Sequence, residues 1–175
     1  MADGSGDFAQ AVFVMKGVMN ATRVMNSTNI NTTSWKDCSM RSFLQNTVLP
    51  NLPQQWKALI KTVNVLTSAG GTSENIITTE DQLFLLSYAE VGFGVNEVPY
   101  KNEIDADAEQ KTFSIFTDNN SRIKKTYNGE GSASYWWLRS PTASSSSYFC
   151  YVYYNGGANG NGAYSSNGVA FGFCL

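Results

Sequence analysis

The chain has 175 residues, 42% hydrophobic and 13% aromatic, with a formal net charge of -2. This is enough apolar material for one cored domain and gives no electrostatic drive towards nucleic acid or an anionic membrane. Histidine is absent, which excludes Ser-His-Asp and Cys-His nucleophiles, His-ligated zinc and histidine acid-base chemistry.

Residues 1 to 10, "MADGSGDFAQ", read as a loose start, left by cloning or by excision from a longer chain. "AVFVMKGVM", Ala11 to Met19, is rich in apolar and β-branched residues and reads as a strand buried on at least one face. A polar loop follows, then a helix whose capping box is Ser34 with Asp37 and whose apolar side is Trp35, Met40, Phe43, Leu44 and Val48. Pro50 is expected to stop that helix, and Leu52 to Ile60 to open a second one with Pro53 in its first turn.

"KTVNVLTSAGGTS" alternates as a strand that turns at Gly70 and Gly71. "TTEDQLFLLSYAEVGFG" offers a threonine cap before acidic residues, which predicts a helix or turn leading into a strand. No apolar run reaches the length of a membrane span; the longest, Leu83 to Ala89, is one strand or two helical turns. Residues 92 to 132 read as irregular connections with one strand at Thr112 to Phe116. Glu103, Asp105, Asp107 and Glu109 alternate like the start of a calcium loop. An EF-hand needs glycine at the sixth position and glutamate at the twelfth, where this chain has Gln110 and Phe116, so a solvated acidic loop is expected. The basic cluster Arg122, Lys124 and Lys125 reads as a solvated edge.

The last third reads as all β: "SASYWWLRS", "SYFCYVYYN" and "GVAFGFCL" are strands with Gly-rich connections. Helices early, strands late and no βαβ alternation give an α+β domain. Cys38, Cys150 and Cys174 have no metal or redox spacing; they are buried thiols, or Cys150 and Cys174 form a disulfide. Composition shifts after Pro141: 20 of the 27 residues from 142 to 168 are Ser, Tyr, Gly or Asn, and none is charged. Antibody loops use this bias, since tyrosine gives contact area at low entropic cost and Ser, Gly and Asn adapt their hydrogen bonds. By strand alternation, if Cys150 and Val152 face the core, Phe149, Tyr151 and Tyr153 face the other way, into a partner or a second buried layer.

"YWWLRSP" followed by "GVAFGFC", with "MNSTN", "MRSFLQN", "IKTVN", "LTSAGG" and "SRIK" upstream, resembles a family of uncharacterised bacterial and phage-encoded domains. That family is similar to the C-type-lectin fold of the variable proteins of diversity-generating retroelements and of formylglycine-generating enzymes. The resemblance runs from about Ala11 to Leu175. It implies a single C-type-lectin-like domain over 11–175, with two helices packed on small antiparallel sheets, long irregular loops and a variable-looking segment over 142–168. Retroelement mutagenesis of adenines in AAC or AAT codons reaches every residue type found from Thr142 to Gly168. The Glu-Pro-Asn, Gln-Pro-Asp and Trp-Asn-Asp motifs of calcium-dependent lectins are absent, and Cys150 and Cys174 are not closely spaced as the enzymes' cysteines are.

The implied function is therefore non-enzymatic receptor recognition, with no cofactor and no metal, on a phage tail or other virion part, or at a cell surface. The expected partner is a protein or glycan on a target cell, without nucleic acid or membrane insertion; homo-oligomers or attachment to a larger virion or surface protein also fit. The expected ligand-binding residues are Tyr148, Tyr151, Tyr153, Tyr154, Asn155, Asn159, Asn161, Tyr164 and Asn167. Trp136, Trp137, Leu138, Val169, Phe171 and Phe173 are expected to be scaffold, with Arg139 holding the strand end. The alternative is a structural virion component that uses the same face for assembly.

Overall fold

A computed structural model describes residues 11–73, 75–94, 112–143 and 145–175. The calcium-like acidic residues Glu103, Asp105, Asp107 and Glu109 and the loose N-terminal ten lie outside the described residues. Within them the chain is α+β, with short helices and small antiparallel sheets.

The first strand, β1 (Val12–Val14), is shorter than the apolar run that contains it. It pairs antiparallel with the last strand, β10 (Phe171–Cys174), which also pairs with β4 (Phe84–Leu85). From Met15 to Met19 the chain leaves the ladder but stays tied by its main chain to Phe171, Lys125 and Val169.

Ser34 does not cap a helix. It has φ of 52°, is buried, and its hydroxyl donates to the Ser68 carbonyl. Helix α1 (Ser39–Phe43) starts later, capped by Cys38, whose sulfur accepts from the Arg41 N–H at 3.4 Å. It runs through a π-helical segment (Leu44–Val48) into α2 (Leu49–Asn51). Pro50 therefore sits inside the helical run, and the chain turns extended only at Leu52. The wide turn explains the tolerance, because the Leu49 N–H reaches back five residues to the Leu44 carbonyl, so the register is already shifted where proline lacks a donor. Helix α3 (Gln54–Lys57) follows with Pro53 at its cap.

β2 (Val63–Ser68) pairs over its full length with β3 (Ile76–Asp81). Here the expected helix or turn is corrected: Thr78 to Asp81 is strand, favoured by the β-branched run Ile76, Ile77, Thr78, Thr79. The apparent capping acid, Asp81, is buried instead. It accepts from Trp35 Nε1 at 2.9 Å, Thr79 Oγ1 at 2.6 Å, Arg41 Nε at 2.6 Å and Gln45 Nε2 at 3.3 Å. One carboxylate thus fastens the helical run to the hairpin.

Residues 112 to 116 form turns, not a strand. Helix α4 (Asn119–Arg122) carries a capping box between Asp118 and Ser121. The basic cluster is largely internal, since Arg122 and Lys124 are buried and only Lys125 is exposed. Arg122 donates to the carbonyls of Val91 at 2.6 Å and Gly92 at 2.8 Å and lies over the Phe93 ring. Lys124 bonds the Met15 carbonyl and sits 5.1 Å from the Trp136 ring centroid. Strands β5 (Lys124–Lys125) and β6 (Ala133–Ser134) form a small hairpin around a 3-10 turn at Tyr127–Gly129.

The last sheet has the order β7 (Trp136–Pro141), β8 (Tyr148–Val152), β9 (Ala158–Gly162). All six β7 residues are buried. Arg139 lies there, paired with Glu90 by two bonds, Nη1 to Oε2 at 2.6 Å and Nη2 to Oε1 at 2.8 Å. Nη1 also donates to the Leu85 carbonyl at 2.7 Å, and Glu90 Oε2 accepts from the Ser87 N–H at 2.8 Å. β7 is thereby fixed to β4 and to the loop that follows it.

All three cysteines are free and buried, so no Cys150–Cys174 disulfide forms; the two lie in different sheets. Burial pushes the Cys38 thiol up to about 12 and the Cys174 thiol up to about 11, and lowers the Lys124 ammonium to about 8.

Replacing Glu90 with alanine strands the Arg139 charge and is expected to cost about 3 to 5 kcal/mol in urea unfolding, with an E90L/R139M double variant recovering most of it. The thiols add stability that is whole below pH 9 and lost as pH rises towards 11 to 12. Lys124 has the opposite sign, because its burial cost is relieved as pH rises from 8 to 10.5. Unfolding measured against pH should therefore weaken above about pH 9 in the native sequence and strengthen between about pH 8 and 10 in the C38A/C174A variant.

Candidate functional site

The uncharged segment lies mainly on β8, β9 and their flanking turns. Register pairs Tyr151 with Asn159 and Phe149 with Asn161, while Trp137 pairs with Tyr151 from β7. These residues share one side of the sheet, and Cys150, Val152 and Ala158 share the other. Both sides are covered along most of β8, since Phe149, Cys150, Tyr151 and Val152 are all buried. The second-layer alternative thus holds for Phe149 and Tyr151, and the aromatic side reaches the surface only from Tyr153 onward.

There the tyrosines gather. Tyr153 and Tyr154 rings are 4.5 Å apart, Tyr135 and Tyr153 4.9 Å, and Tyr135 and Tyr154 5.8 Å, the last two nearly perpendicular. Tyr151 supports them from below, 5.8 Å from Tyr135 and 6.0 Å from Trp137. Rings this close pack on one another and leave no cage for a cation between them; they offer outer faces and hydroxyls instead. Tyr154 is 47% exposed and Tyr164 57%, whereas Tyr151 is 7%. Burial, then Tyr153 and Tyr135, push the Tyr151 phenol up to about 12, and a hydrogen bond with Tyr135 raises Tyr153. At neutral pH these two phenols are therefore uncharged.

The asparagines have a fixed polarity. The side-chain oxygens of Asn155, Asn159 and Asn161 accept the N–H groups of Gly157, Gly160 and Gly162 at 3.0, 2.8 and 2.9 Å. With those oxygens engaged locally, the amide N–H groups of exposed Asn155 and half-buried Asn161 are the side-chain donors left over. The segment combines aromatic area with amide donors and contributes no charge of its own; exposed Arg23, bonded to Asn167, and exposed Asp118, next to the Asn119 that the Gly156 turn abuts, lie at its borders.

Of the residues expected from sequence, the structure brings Tyr153, Tyr154, Asn155 and Asn159 to the aromatic end. Asn161 and Tyr164 lie at the far end of β9, where Tyr164 approaches Gly162. Tyr148 is exposed at the start of β8, with the parity of Cys150 rather than Tyr151. Tyr151 and Asn167 are buried, Tyr151 beneath the exposed rings; among the described residues the Asn167 side-chain nitrogen has no partner. Sequence reasoning missed Tyr135, which it read only as part of the strand "SASYWWLRS". The signal was the pleat: with Trp136 opposite Val152, Tyr135 falls opposite Tyr153.

What holds this segment is mostly main chain. Asn31, fully buried, donates to the carbonyls of Tyr148 at 2.6 Å and Ser145 at 2.7 Å, with a longer contact of 3.4 Å to Thr142. Its own oxygen accepts the Gly71 N–H at 2.9 Å, and its main-chain N–H donates to Ser146. Asn26 bonds Ala163, Arg23 and Asn167 bridge in both directions, and Gly168 bonds Tyr135, all through backbone atoms. At the hairpin turn, Gly156 has φ of 84°, and a Cβ there would meet the Asn119 carbonyl oxygen at 1.7 Å. That position admits only glycine.

The fold and this segment define an α+β domain that carries a tyrosine-rich and amide-rich face. The chain belongs to the DUF6273 family, described as a domain of unknown function, whose model matches residues 9–175. No curated protein and no solved structure matches it. No helix among the described residues is long and apolar enough to cross a membrane.

Asn31→Ala leaves buried carbonyls and one N–H without partners and is expected to cost about 3 kcal/mol. Amide exchange should quicken at Gly71 and over 142–148, while Tyr164→Ala, on the surface, should change stability by no more than about 0.5 kcal/mol.

Proposed function

We propose that this chain is a non-enzymatic recognition domain of C-type-lectin-like fold, of the kind found in the variable proteins of diversity-generating retroelements. It is displayed on a phage tail or cell surface and binds a protein or glycan through its tyrosine-rich face. The observation that carries the reading is the Tyr135, Tyr153 and Tyr154 cluster, partly exposed beside a segment, 142–168, that has no charged residue. Large aromatic groups left at the surface beside amide donors suit a ligand with apolar patches and hydrogen-bond acceptors. Tyr148, Asn159, Asn161 and Tyr164 extend the contact area, and Tyr151 and Asn167 keep it in shape. The lectin-like fold rests on the resemblance carried by the terminal motif pair, of which "YWWLRSP" spans β7 and "GVAFGFC" includes β10, strands that flank the variable-looking run.

Screening against protein and glycan arrays tests the reading. The native chain should capture a ligand that a Y153A/Y154A/Y164A variant binds at least about tenfold more weakly, with its melting temperature within a few degrees. Loss of binding through unfolding would remove the assignment. A stable oligomer in solution that depends on the same tyrosines would reassign the face to self-assembly.

A further inference from the structure

The strand β9 repeats Asn-Gly, a dipeptide with chemistry of its own. The glycine nitrogen can attack the asparagine Cγ, because glycine has no side chain to hinder the approach. The sequence holds five such dipeptides, at Asn128, Asn155, Asn159, Asn161 and Asn167. What separates them is where the glycine N–H points.

Outside β9 each of these N–H groups is tied to main chain. Gly129 donates to the Thr126 carbonyl at 3.1 Å, Gly156 to Tyr153 at 2.9 Å and Gly168 to Tyr135 at 2.9 Å. Asn155 aims its side-chain oxygen past its neighbour, at the Gly157 N–H, and Asn167 is buried. The pair in β9 differs. Tyr153 donates to Gly157 and Ala163 to Ser147, so the hydrogen-bonded pairs of the β8–β9 ladder are Tyr151 with Asn159 and Phe149 with Asn161. Gly160 and Gly162 therefore turn their N–H groups away from β8, and β9 is the outer strand of its sheet. Each donates instead to the side-chain oxygen of the asparagine before it, Gly160 to Asn159 at 2.8 Å and Gly162 to Asn161 at 2.9 Å. A carbonyl carbon lies about 1.2 Å from its oxygen, so Cγ is within about 4 Å of the glycine nitrogen in both. Asparagine χ2 is a broad torsion, and rotation about it turns Cγ to the nitrogen.

Asn161 has one feature more. Its side-chain oxygen also accepts the Ser165 hydroxyl at 3.1 Å. That donor polarises the carbonyl and is aimed at the oxygen on which negative charge develops during attack. Asn161 and Ser165 are both half-buried, which leaves the site open to water.

We propose that Asn161–Gly162 is a self-modification site at which Ser165 promotes deamidation, with Asn159–Gly160 a slower second site. The Gly162 nitrogen, having lost its proton to hydroxide, forms a bond to Asn161 Cγ. The bond from Cγ to Nδ2 breaks, and Nδ2 takes a proton from water and leaves as ammonia. Water then opens the cyclic imide at either carbonyl, giving aspartate or isoaspartate. Each event puts one carboxylate into a segment, 142–168, that has no charged residue. The reaction is independent of what that segment binds.

The test incubates the native 175-residue protein and its guanidinium-unfolded form at mildly alkaline pH. After peptic digestion in acid, fragmentation mass spectrometry scores amide-to-acid conversion at each asparagine. In the unfolded chain the four dipeptides of 142–168 should convert at similar rates. In the native protein Asn161 should lead and Asn159 follow, with Asn155 and Asn167 slower than Asn161 by about tenfold. Ser165→Ala, which keeps the main-chain bond from Ser165 to Gly162, should slow Asn161 about fivefold and leave Asn159 unchanged. S165T restores the hydroxyl and should restore the rate. Native conversion of Asn155 or Asn167 as fast as that of Asn161, or none at either β9 site, overturns the proposal. Equal rates at Asn161 in the native and S165A proteins overturn the role of Ser165.

Discussion

The Arg139–Glu90 pair is the constraint on which the arrangement of the last sheet depends. An arginine in the middle of a fully buried strand is tolerable only if its charge is matched and its donors are satisfied. Glu90 matches it with two bonds, and the carbonyl of Leu85 takes a further one. Because those partners lie on β4 and the loop after it, β7 cannot slide or rotate without stranding a buried ion. β7 in turn templates β8, and β8 templates β9, so the path of the aromatic face is set through the sheet by the buried pair that fixes β7.

A second polar centre works the same way on the other half of the molecule. Asp81 gathers Trp35, Thr79, Arg41 and Gln45, and Asn31 grips the start of the variable-looking segment by its carbonyls. The result separates two tasks. Main-chain bonds hold residues 142 to 168 in place, while side chains such as Tyr154, Asn155 and Tyr164 bear little of the packing. A face built so can change its side chains without changing its path, which is what a surface adapted to different ligands requires.

Much of this was legible in sequence. The late strands announced themselves because Trp136 to Leu138 and Phe171 to Cys174 are dense in strand-forming apolar residues, and the charge-free run after Pro141 marked the surface of interest. Other features depended on contacts distant in sequence. "TTED" has the local chemistry of a helix start, and only Trp35 and Arg41, some forty residues away, show why Asp81 is buried in a strand. β9, "ANGNG", has no strand propensity of its own and forms because β8 offers it a ladder. Strand parity separated the two sides of β8, but not which tyrosines stay wet, because that depends on which loops cover each side. Arg122 and Lys124 looked solvated for the same reason: their carbonyl and aromatic partners are set by tertiary packing.

A face held mainly by main-chain bonds should tolerate change in the side chains it displays. The measurement is a surface-display library that randomises Tyr148, Tyr153, Tyr154, Asn155, Asn159, Asn161 and Tyr164. It should be sorted for folded protein beside a control library at Trp136, Trp137 and Phe149. Most members of the first library are expected to fold and nearly all of the control to fail; equal loss of folding in both would show that the displayed side chains themselves hold the fold.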